Sequence, residues 1–188
     1  MQYPRILPVG DTAFTVEFGA AIEEPLVAQV QGFDAALKAH PILGVRETVP
    51  SYCALLVVYD PQCCPAATMR LALEQALAQM TGSASAEGRL VEIPVRYGGV
   101  DGPDLQDVAD YHYLSPEEVI ALHTASTYRV AMLGFAPGFA YLLGLDPRLA
   151  TPRLATPRTQ VAPGSVGIAG NQTGVYALST PGGWRIIG

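Results

Sequence analysis

The chain contains 188 residues, of which 49% are hydrophobic and 15% charged, so it can bury a core and is not a disordered protein. Its formal net charge of −6 disfavours general binding to nucleic acid. The single lysine, Lys38, follows Leu37, which excludes a Gly-Lys-Ser/Thr phosphate-binding loop. The sequence contains no His-Glu-x-x-His pair, so a zinc-protease site is excluded and no metal site is predicted.

Cysteine usage and hydropathy predict a cytoplasmic protein without a membrane segment. The sequence has an odd number of cysteines, three, and none of them has Cys-x-x-Cys spacing: they are Cys53, Cys63 and Cys64. This pattern indicates free thiols in a reducing compartment. The first ten residues lack the apolar stretch of a signal peptide. The apolar run Val130–Leu145 is too short for a membrane span and is interrupted by glycine and proline.

The first half of the chain has the periodicity of alternating strands and helices. The pattern predicts strands at 5–7, 14–18 and 53–59 and helices at 26–37 and 69–80. Gly10-Asp11 can form the turn between the first two strands, and Pro41 ends the first helix. The order strand-strand-helix-strand-strand-helix predicts an α+β domain, a sheet with helices on one face.

A run of small residues, Thr81–Gly88, predicts a linker because it has no apolar periodicity. Of the 19 glycines, five precede Gly88, so the composition changes at this point. We therefore predict two domains, residues 1–82 and residues 83–188.

The second half is predicted to begin with a strand at 90–95, followed by a helical segment after Asp104. Ser115-Pro116-Glu117-Glu118 is a capping box with proline at the first helical position, a strong signal for the start of a helix. Short β-type runs between glycines and prolines then occupy 128–132, 165–169, 174–178 and 184–187. Such spacing is typical of a small barrel or sandwich.

Arginine is concentrated near the end of the chain. From Gly134 onward there are four arginines and a single acid, Asp146, which indicates either a site for a carboxylate or phosphate or a set of surface arginines. Leu-Ala-Thr-Pro-Arg occurs twice in succession and ends at Arg153 and at Arg158. An extended segment of five residues spans about 15 Å, so the two guanidinium groups need not contact one ligand.

His123 lies on the apolar face of the predicted helix that follows Ser115. Such a histidine is either a core residue that bonds a backbone carbonyl or a general acid or base held by a carboxylate. Asp104 is the nearest candidate carboxylate in the sequence.

Two further segments have a structural and a functional interpretation. The glycine-broken loop Gly134–Tyr141 contains Phe139 and Tyr141, and it forms either the wall of a pocket for a flat ring or an aromatic corner of the core. The polar patch with Gln172 and Thr173 is either a hairpin turn or the mouth of a pocket.

The same segments resemble the KipI family, whose members are known as the B subunit of 5-oxoprolinase or as allophanate hydrolase subunit 1. The resemblance rests on Gly134–Tyr141, Pro157-Arg158, Val161–Tyr176 and Pro181–Trp184. Weaker matches in the first half extend it over essentially the whole chain. It implies a ferredoxin-like N-terminal domain followed by a cyclophilin-like β-barrel. It also implies further strands after Gly188 that close the barrel, so we expect either a shortened chain or an edge that a partner completes.

The resemblance implies one component of an ATP-dependent 5-oxoprolinase, which opens the lactam of 5-oxoproline to glutamate. The expected partners are a KipA-like protein (the C subunit of 5-oxoprolinase) and the A subunit, with ATP bound by or shared with a partner. Two alternatives are a regulator that binds a histidine kinase and the carboxyltransferase module of a urea carboxylase or allophanate hydrolase system. A neighbouring gene for either oxoprolinase partner would favour the enzyme, and a kinase gene would favour the regulator.

For the enzyme, residue chemistry and family position assign hypothetical roles to eight side chains. His123 moves protons with Asp104 orienting it, and Arg153 or Arg158 holds an anionic group. Gln172 and Thr173 bind the amide, while Phe139 and Tyr141 contact the substrate ring.

Overall fold

The computed structural model describes residues 2–80 and 88–188. The chain divides into two compact units, Met1–Arg89 and Leu90–Gly188. The predicted linker at 81–88 lies outside the described residues except for Gly88. None of the described helices combines the length and hydropathy needed to cross a bilayer.

The N-terminal unit is a four-stranded antiparallel sheet with two helices. Its elements are β1 (Arg5–Val9), β2 (Ala13–Glu17), α1 (Glu24–Ala39), β3 (Val45–Pro50), β4 (Ala54–Tyr59) and α2 (Ala66–Ala78). The strand order in the sheet is β1-β2-β4-β3. The element order therefore matches the predicted one, although the sequence pattern located only the second of the two strands between the helices.

The core of the N-terminal unit follows directly from sequence periodicity. Phe14 and Val16 alternate along β2 and are buried, as are Phe33 and Leu37 on one stripe of α1. These residues and Met69 of α2 belong to one apolar cluster. Both helices therefore cover the same face of the sheet, which is the predicted two-layer arrangement.

The C-terminal unit begins with two helices and continues as strands. Its elements are α3 (Leu105–His112), α4 (Pro116–Ala125), β5 (Arg129–Leu133), β6 (Ala140–Leu143), a 3₁₀ turn (Pro147–Leu149), β7 (Arg158–Val161), β8 (Val166–Ala169), β9 (Gln172–Val175), β10 (Thr180–Gly182) and β11 (Arg185–Ile186). The predicted capping box is confirmed: the Ser115 hydroxyl accepts from the Glu118 N–H, and the Glu118 carboxylate accepts from the Ser115 N–H.

The strands of the C-terminal unit form two antiparallel sheets. Five of them pair in the order β11-β8-β9-β6-β5, and β10 pairs with β7. Within residues 88–188 these sheets do not close into a barrel, so the described fold is a mixed α/β arrangement with open antiparallel sheets. The sequence pattern did not locate β6, β7 or β10, which are only three or four residues long.

The strand predicted at 90–95 is wrong. The segment pairs with no strand among the described residues, and Leu90, Val91 and Ile93 are exposed. Alternating apolar and polar residues show that a segment could lie in a sheet, but they do not provide a neighbouring strand to pair with. In addition, Pro94 lacks the backbone N–H that the hydrogen bonds between paired strands require.

Candidate functional site

An aromatic pocket of about 80 Å³ lies in the C-terminal unit. Its walls are five aromatic rings, one arginine and two glycines. They are Phe135, Phe139, Tyr141, Tyr176, Trp184, Arg153, Gly182 and Gly183. The structure therefore brings together three residues that the sequence analysis proposed for substrate binding, namely Phe139, Tyr141 and Arg153.

Phe139 is the centre of the aromatic pocket. It is 2% exposed and makes edge-to-face contacts with Tyr141, Tyr176 and Trp184 at centroid distances of 4.9, 5.2 and 5.4 Å. The loop before it turns sharply, with Gly138 at φ +79, a conformation that glycine adopts without strain. This turn brings Phe135 within 5.4 Å of the Phe139 ring centroid, so the loop forms a wall of the pocket.

Two glycines give the rings the space that they occupy. A Cβ atom at Gly182 would lie 2.4 Å from the Tyr176 hydroxyl. A Cβ atom at Gly174 in β9 would lie 3.1 Å from the rings of Phe139 and Trp184. Any side chain at these positions would displace an aromatic wall, because the neighbouring rings are packed against one another.

Arg153 is an exposed arginine at this pocket. Arg148, Arg158 and Arg185 each form an ion pair with a carboxylate, whereas in the described part of the chain no ion pair involves Arg153. The sequence predicted either an anion site or a set of surface arginines. In the structure three of these arginines bind carboxylates of the protein itself, and Arg153 has no carboxylate partner among the described residues.

The buried carboxylate of Asp104 and the partly exposed guanidinium of Arg158 form a clamp beside the pocket. The two guanidinium nitrogens of Arg158 donate to the two Asp104 oxygens at 2.8 and 2.6 Å, and the Ile186 N–H donates to the same carboxylate at 2.6 Å. The hydrogen bonds to Asp104 raise the pKa of Arg158 above its ordinary value. The clamp ties the N-terminal end of α3 to β7, which pairs with Gly182 of β10, and to β11, which follows Trp184.

The predicted pairing of Asp104 with His123 is therefore corrected, because both carboxylate oxygens bind other groups. The His123 ring lies between Tyr97 and Thr173. Its Nδ1 is 2.7 Å from the Tyr97 hydroxyl and its Nε2 is 2.9 Å from Thr173 Oγ1. Both ring nitrogens are thus occupied by side chains of the protein.

The hydrogen-bond directions define the tautomer of His123. Thr173 Oγ1 donates its hydrogen to the Gly167 carbonyl oxygen at 3.0 Å, so it accepts from His123 Nε2–H. The unprotonated Nδ1 then accepts from the Tyr97 hydroxyl. Burial lowers the pKa of His123 from 6.5 to about 4, and the side chain is 5% exposed. His123 is therefore neutral near pH 7 and links α4 to β9.

Neither Gln172 nor Thr173 lines the aromatic pocket. Both are buried within β9, and the turn of the β8–β9 hairpin precedes them at Gly170 and Asn171. The hairpin interpretation of this segment is thus the one that the structure supports. Thr173 nevertheless affects the pocket indirectly, because the next residue, Gly174, lies against Phe139 and Trp184.

We expect the free energy of unfolding to decrease as the pH is lowered from about 6.5 to about 4. In this window the folded chain keeps His123 neutral, whereas the unfolded chain binds a proton at the same residue, so acid favours unfolding. The full effect is about 3 kcal/mol, since one pKa unit corresponds to about 1.4 kcal/mol. Urea unfolding of the wild type and of His123→Gln at several pH values measures it. Parallel pH curves for the two proteins would contradict the assignment.

Sequence reasoning missed Tyr97, Tyr176 and Trp184 as site residues. Tyr176 follows β9, and Trp184 follows a pair of glycines between two short strands, so only the pairing of the strands brings them to Phe139. The glycine pair was a usable signal, since adjacent glycines permit close approach of a large ring. Among the described residues, no group of three or more His, Cys, Asp or Glu side chains is placed to hold a metal ion.

Comparison with known proteins connects this geometry to a family. The family described as "Carboxyltransferase domain, subdomain C and D" matches residues 4–188. The chain belongs to this family. The carboxyltransferase-domain match thus covers the aromatic pocket, the Asp104–Arg158 clamp and the N-terminal unit.

One curated protein and two solved structures are similar to this carboxyltransferase-domain chain. A Bacillus subtilis (strain 168) protein, named as the B subunit of 5-oxoprolinase, is 44% identical, with the match covering 98% of this chain and 81% of the relative. The crystal structure of TTHA0988 superposes with a TM-score of 0.82 at 39% identity, over 94% of this chain and 34% of that one. This chain therefore spans about a third of that structure. Kluyveromyces lactis urea carboxylase shares the fold, with a TM-score of 0.72 at 16% identity over 97% of this chain and 18% of that one.

Proposed function

We propose that this chain is the B subunit of an ATP-dependent 5-oxoprolinase, which opens the lactam of 5-oxo-L-proline to L-glutamate. The observation that carries the proposal is the 44% identity, over 98% of this chain, to a protein named as the B subunit of 5-oxoprolinase. The name of that relative implies further subunits. We propose that they are the A subunit and a KipA-like C subunit, and that this chain is inactive without them.

In this proposal the aromatic pocket receives the small amide substrate. Phe139 and Tyr141 contact its ring, and Arg153 holds its anionic group. Asp104 and Arg158 act as positioning residues, because their clamp fixes the strands next to Gly182 and Trp184. His123 and Thr173 position β9 beneath the pocket, and Gln172 is part of the same buried strand.

We propose that ATP binds neither the aromatic pocket nor a second, larger pocket of the C-terminal unit. A triphosphate is usually held by a lysine, backbone N–H groups and Mg²⁺, and the aromatic pocket has about 80 Å³ and one arginine. A second pocket of about 320 Å³ contains Arg96, but this side chain already pairs with Asp101 at 3.2 Å. We therefore assign ATP to a site that is completed by a partner protein.

We propose that the N-terminal unit is ferredoxin-like and that the C-terminal unit is cyclophilin-like. A cytoplasmic location follows from the proposed chemistry, because intracellular ATP is its co-substrate. The pair of adjacent thiols, Cys63 and Cys64, is free, which agrees with a reducing compartment.

The test is glutamate release from 5-oxoproline by this chain combined with the A and C subunits, in the presence and in the absence of ATP. We expect ATP-dependent release that disappears when this chain is omitted. Release that continues without the chain, or no release from an assembled complex, would contradict the proposal.

A pair of glycine substitutions connects the activity to the pocket. Gly182→Ala places a Cβ atom 2.4 Å from the Tyr176 hydroxyl and should reduce glutamate release at least about tenfold, since a displacement of about 1 Å can cost a hundredfold in rate. The matched control is Gly32→Ala in α1, where a Cβ atom meets no heavy atom within 4 Å. This control should leave the rate of glutamate release unchanged. Equal rates for the two variants would show that the pocket takes no part in the reaction.

A carboxyltransferase is the second candidate, because the family description names that activity. Such a module acts on a biotinylated carrier, which this chain cannot itself be through Lys38, since the residue before it is Leu37 and the lysine lies in α1. Carboxyl transfer from carboxybiotin to urea or a related amide, dependent on this chain, would favour the second candidate over the first.

A further inference from the structure

We infer that one face of the N-terminal sheet is a surface at which two copies of this chain associate weakly and reversibly. We call it the outer face, because α1 and α2 pack on the opposite face. The inference goes beyond the proposed function, since it concerns the sheet alone and applies to either candidate activity. Three properties of the outer face support it: its apolar centre, its charged corners and its size.

The centre of the outer face is apolar. Strand pairing gives this face two neighbouring rows with six apolar residues and one threonine: the first row is Leu7, Thr15, Leu56 and Val49, and the second is Val9, Ala13 and Val58. Leu7, Val9 and Val49 are 37, 44 and 41% exposed. The outer face therefore presents contiguous apolar surface to water, which is typical of a contact site.

The central strand β4 has the composition of a strand that is covered on both faces. Its sequence is Ala-Leu-Leu-Val-Val-Tyr, without the polar residues at alternate positions that a solvated sheet face normally shows. Leu55 and Val57 face the helices and are fully buried, whereas Leu56 and Val58 lie on the outer face and are only partly buried. Within the described part of the chain, the outer side of β4 thus lacks the apolar cover that its composition favours.

Charged groups at opposite corners make the outer face complementary to a second copy of itself. Arg5 lies at one end of the edge strand β1, beside Glu17, and Glu47 lies toward the opposite end of the other edge strand, β3. No described residue forms an ion pair with Glu47. A two-fold axis through the centre of the face, perpendicular to the line from Arg5 to Glu47, brings each Arg5 opposite the Glu47 of the other copy. One symmetric contact then forms two ion pairs.

The same two-fold axis gives a known type of sheet packing. It runs obliquely to the strands, so the strands of the two copies cross at a steep angle, as in orthogonal packing of two sheets. Leu7 of one copy then lies over Ala13 and Val58 of the other, and Val9 lies near the axis, where it meets its own equivalent. The apolar rows therefore cover each other while the charged corners pair.

The size of the outer face predicts a weak dimer. Strands about 4.8 Å apart and a rise of about 3.4 Å per residue give the rows and corners a footprint of about 400 Å² per copy, side chains included. Stable interfaces bury about 800 Å² per partner. We therefore expect a dissociation constant in the micromolar range and not a permanent dimer.

Sedimentation velocity of the full chain at about 1 to 200 µM tests the inference, because this interval spans a micromolar dissociation constant. We expect a monomer–dimer equilibrium. Leu7→Gln and Val49→Gln should each raise the dissociation constant at least about tenfold, because each removes apolar contact area twice in a symmetric dimer. The matched control is Leu71→Gln, which replaces an exposed leucine of α2 and should leave the dissociation constant unchanged.

An exchange of charges tests whether the occupant is a second copy of this chain. Arg5→Glu and Glu47→Arg should each weaken self-association at least about tenfold, because like charges then meet at both corners. An equimolar mixture of the two variants should associate more strongly than either variant alone, since both corner contacts of the mixed dimer join opposite charges. Both positions are at least partly exposed, so neither change removes core packing.

Three results would overturn the inference: a chain that remains monomeric at the highest concentration, self-association that Leu7→Gln and Val49→Gln leave unchanged, or a mixture that associates no better than its components. A monomeric chain that loses binding to the proposed A or C subunit through Leu7→Gln would also overturn it and would assign the outer face to that partner. Glutamate release enters none of these measurements, so failure of the inference and failure of the proposed function are distinguishable.

Discussion

Asp104→Ala is expected to lower the free energy of unfolding by about 3 kcal/mol, the lower end of the range for breaking a buried ion pair. The Asp104 side chain is 6% exposed and that of Arg158 is 32% exposed, so water compensates part of the loss at Arg158. The Ile186 N–H, which donates to Asp104, also loses its buried acceptor. Urea unfolding monitored at Trp184 measures the change, since this residue lies two positions from Ile186.

Asp107→Ala is the matched control for this prediction. Asp107 also pairs with an arginine, Arg185, at 3.2 Å, but its side chain is 62% exposed. Exposed pairs contribute at most about 1 kcal/mol, so this variant should unfold at nearly the wild-type urea concentration. Equal destabilisation by the two substitutions would show that Asp104 is not a buried clamp.

His123→Ala is expected to cost about 3 kcal/mol of stability and to reduce activity only through that loss. The substitution leaves a cavity in the apolar region around α4, and it removes one partner each from Tyr97 and Thr173. His123→Gln keeps a donor toward Thr173 and should recover a large part of the stability. Denaturant titration and glutamate release, measured below the unfolding transition, separate the two effects.

A catalytic His123 would give a different result. In that case turnover by the folded fraction of His123→Gln would be abolished although the variant is stable. We expect the first result, because His123 is 5% exposed and does not line the aromatic pocket. Activity per folded molecule is therefore the decisive quantity.

The N-terminal unit could be predicted from sequence because its elements are amphipathic. Phe14 and Val16 show the period of a strand, and Phe33 and Leu37 show that of a helix, and all four are buried. The failed strand at 90–95 has the same alternation, yet Leu90 is 73% exposed. Periodicity shows which face of a segment is apolar. Whether another element covers that face depends on the tertiary fold.

The candidate site was predictable in its residue types and not in its pairings. Phe139 and Arg153 were named as candidates because an aromatic, glycine-broken loop and an unbalanced set of arginines can each form a binding site, although each pattern also has a structural interpretation. The partner of Asp104 was not predictable, because Arg158 lies 54 residues away in sequence while His123 is nearer along the chain. Reasoning from distance along the sequence favours His123 as the partner. In the folded chain, however, the donor next to the Asp104 carboxylate is Arg158.

The walls of the aromatic pocket come from segments that are far apart in sequence, from Phe135 to Trp184. The pocket therefore does not exist in the unfolded chain, and its ligand binds the native state alone. Binding free energy is then added to the stability of the protein through mass action. A ligand at a hundred times its dissociation constant contributes about 2.7 kcal/mol, which is comparable to the loss expected from removing Asp104. Under the proposed function, the abundance of the substrate is then one of the quantities that set how long the folded protein survives.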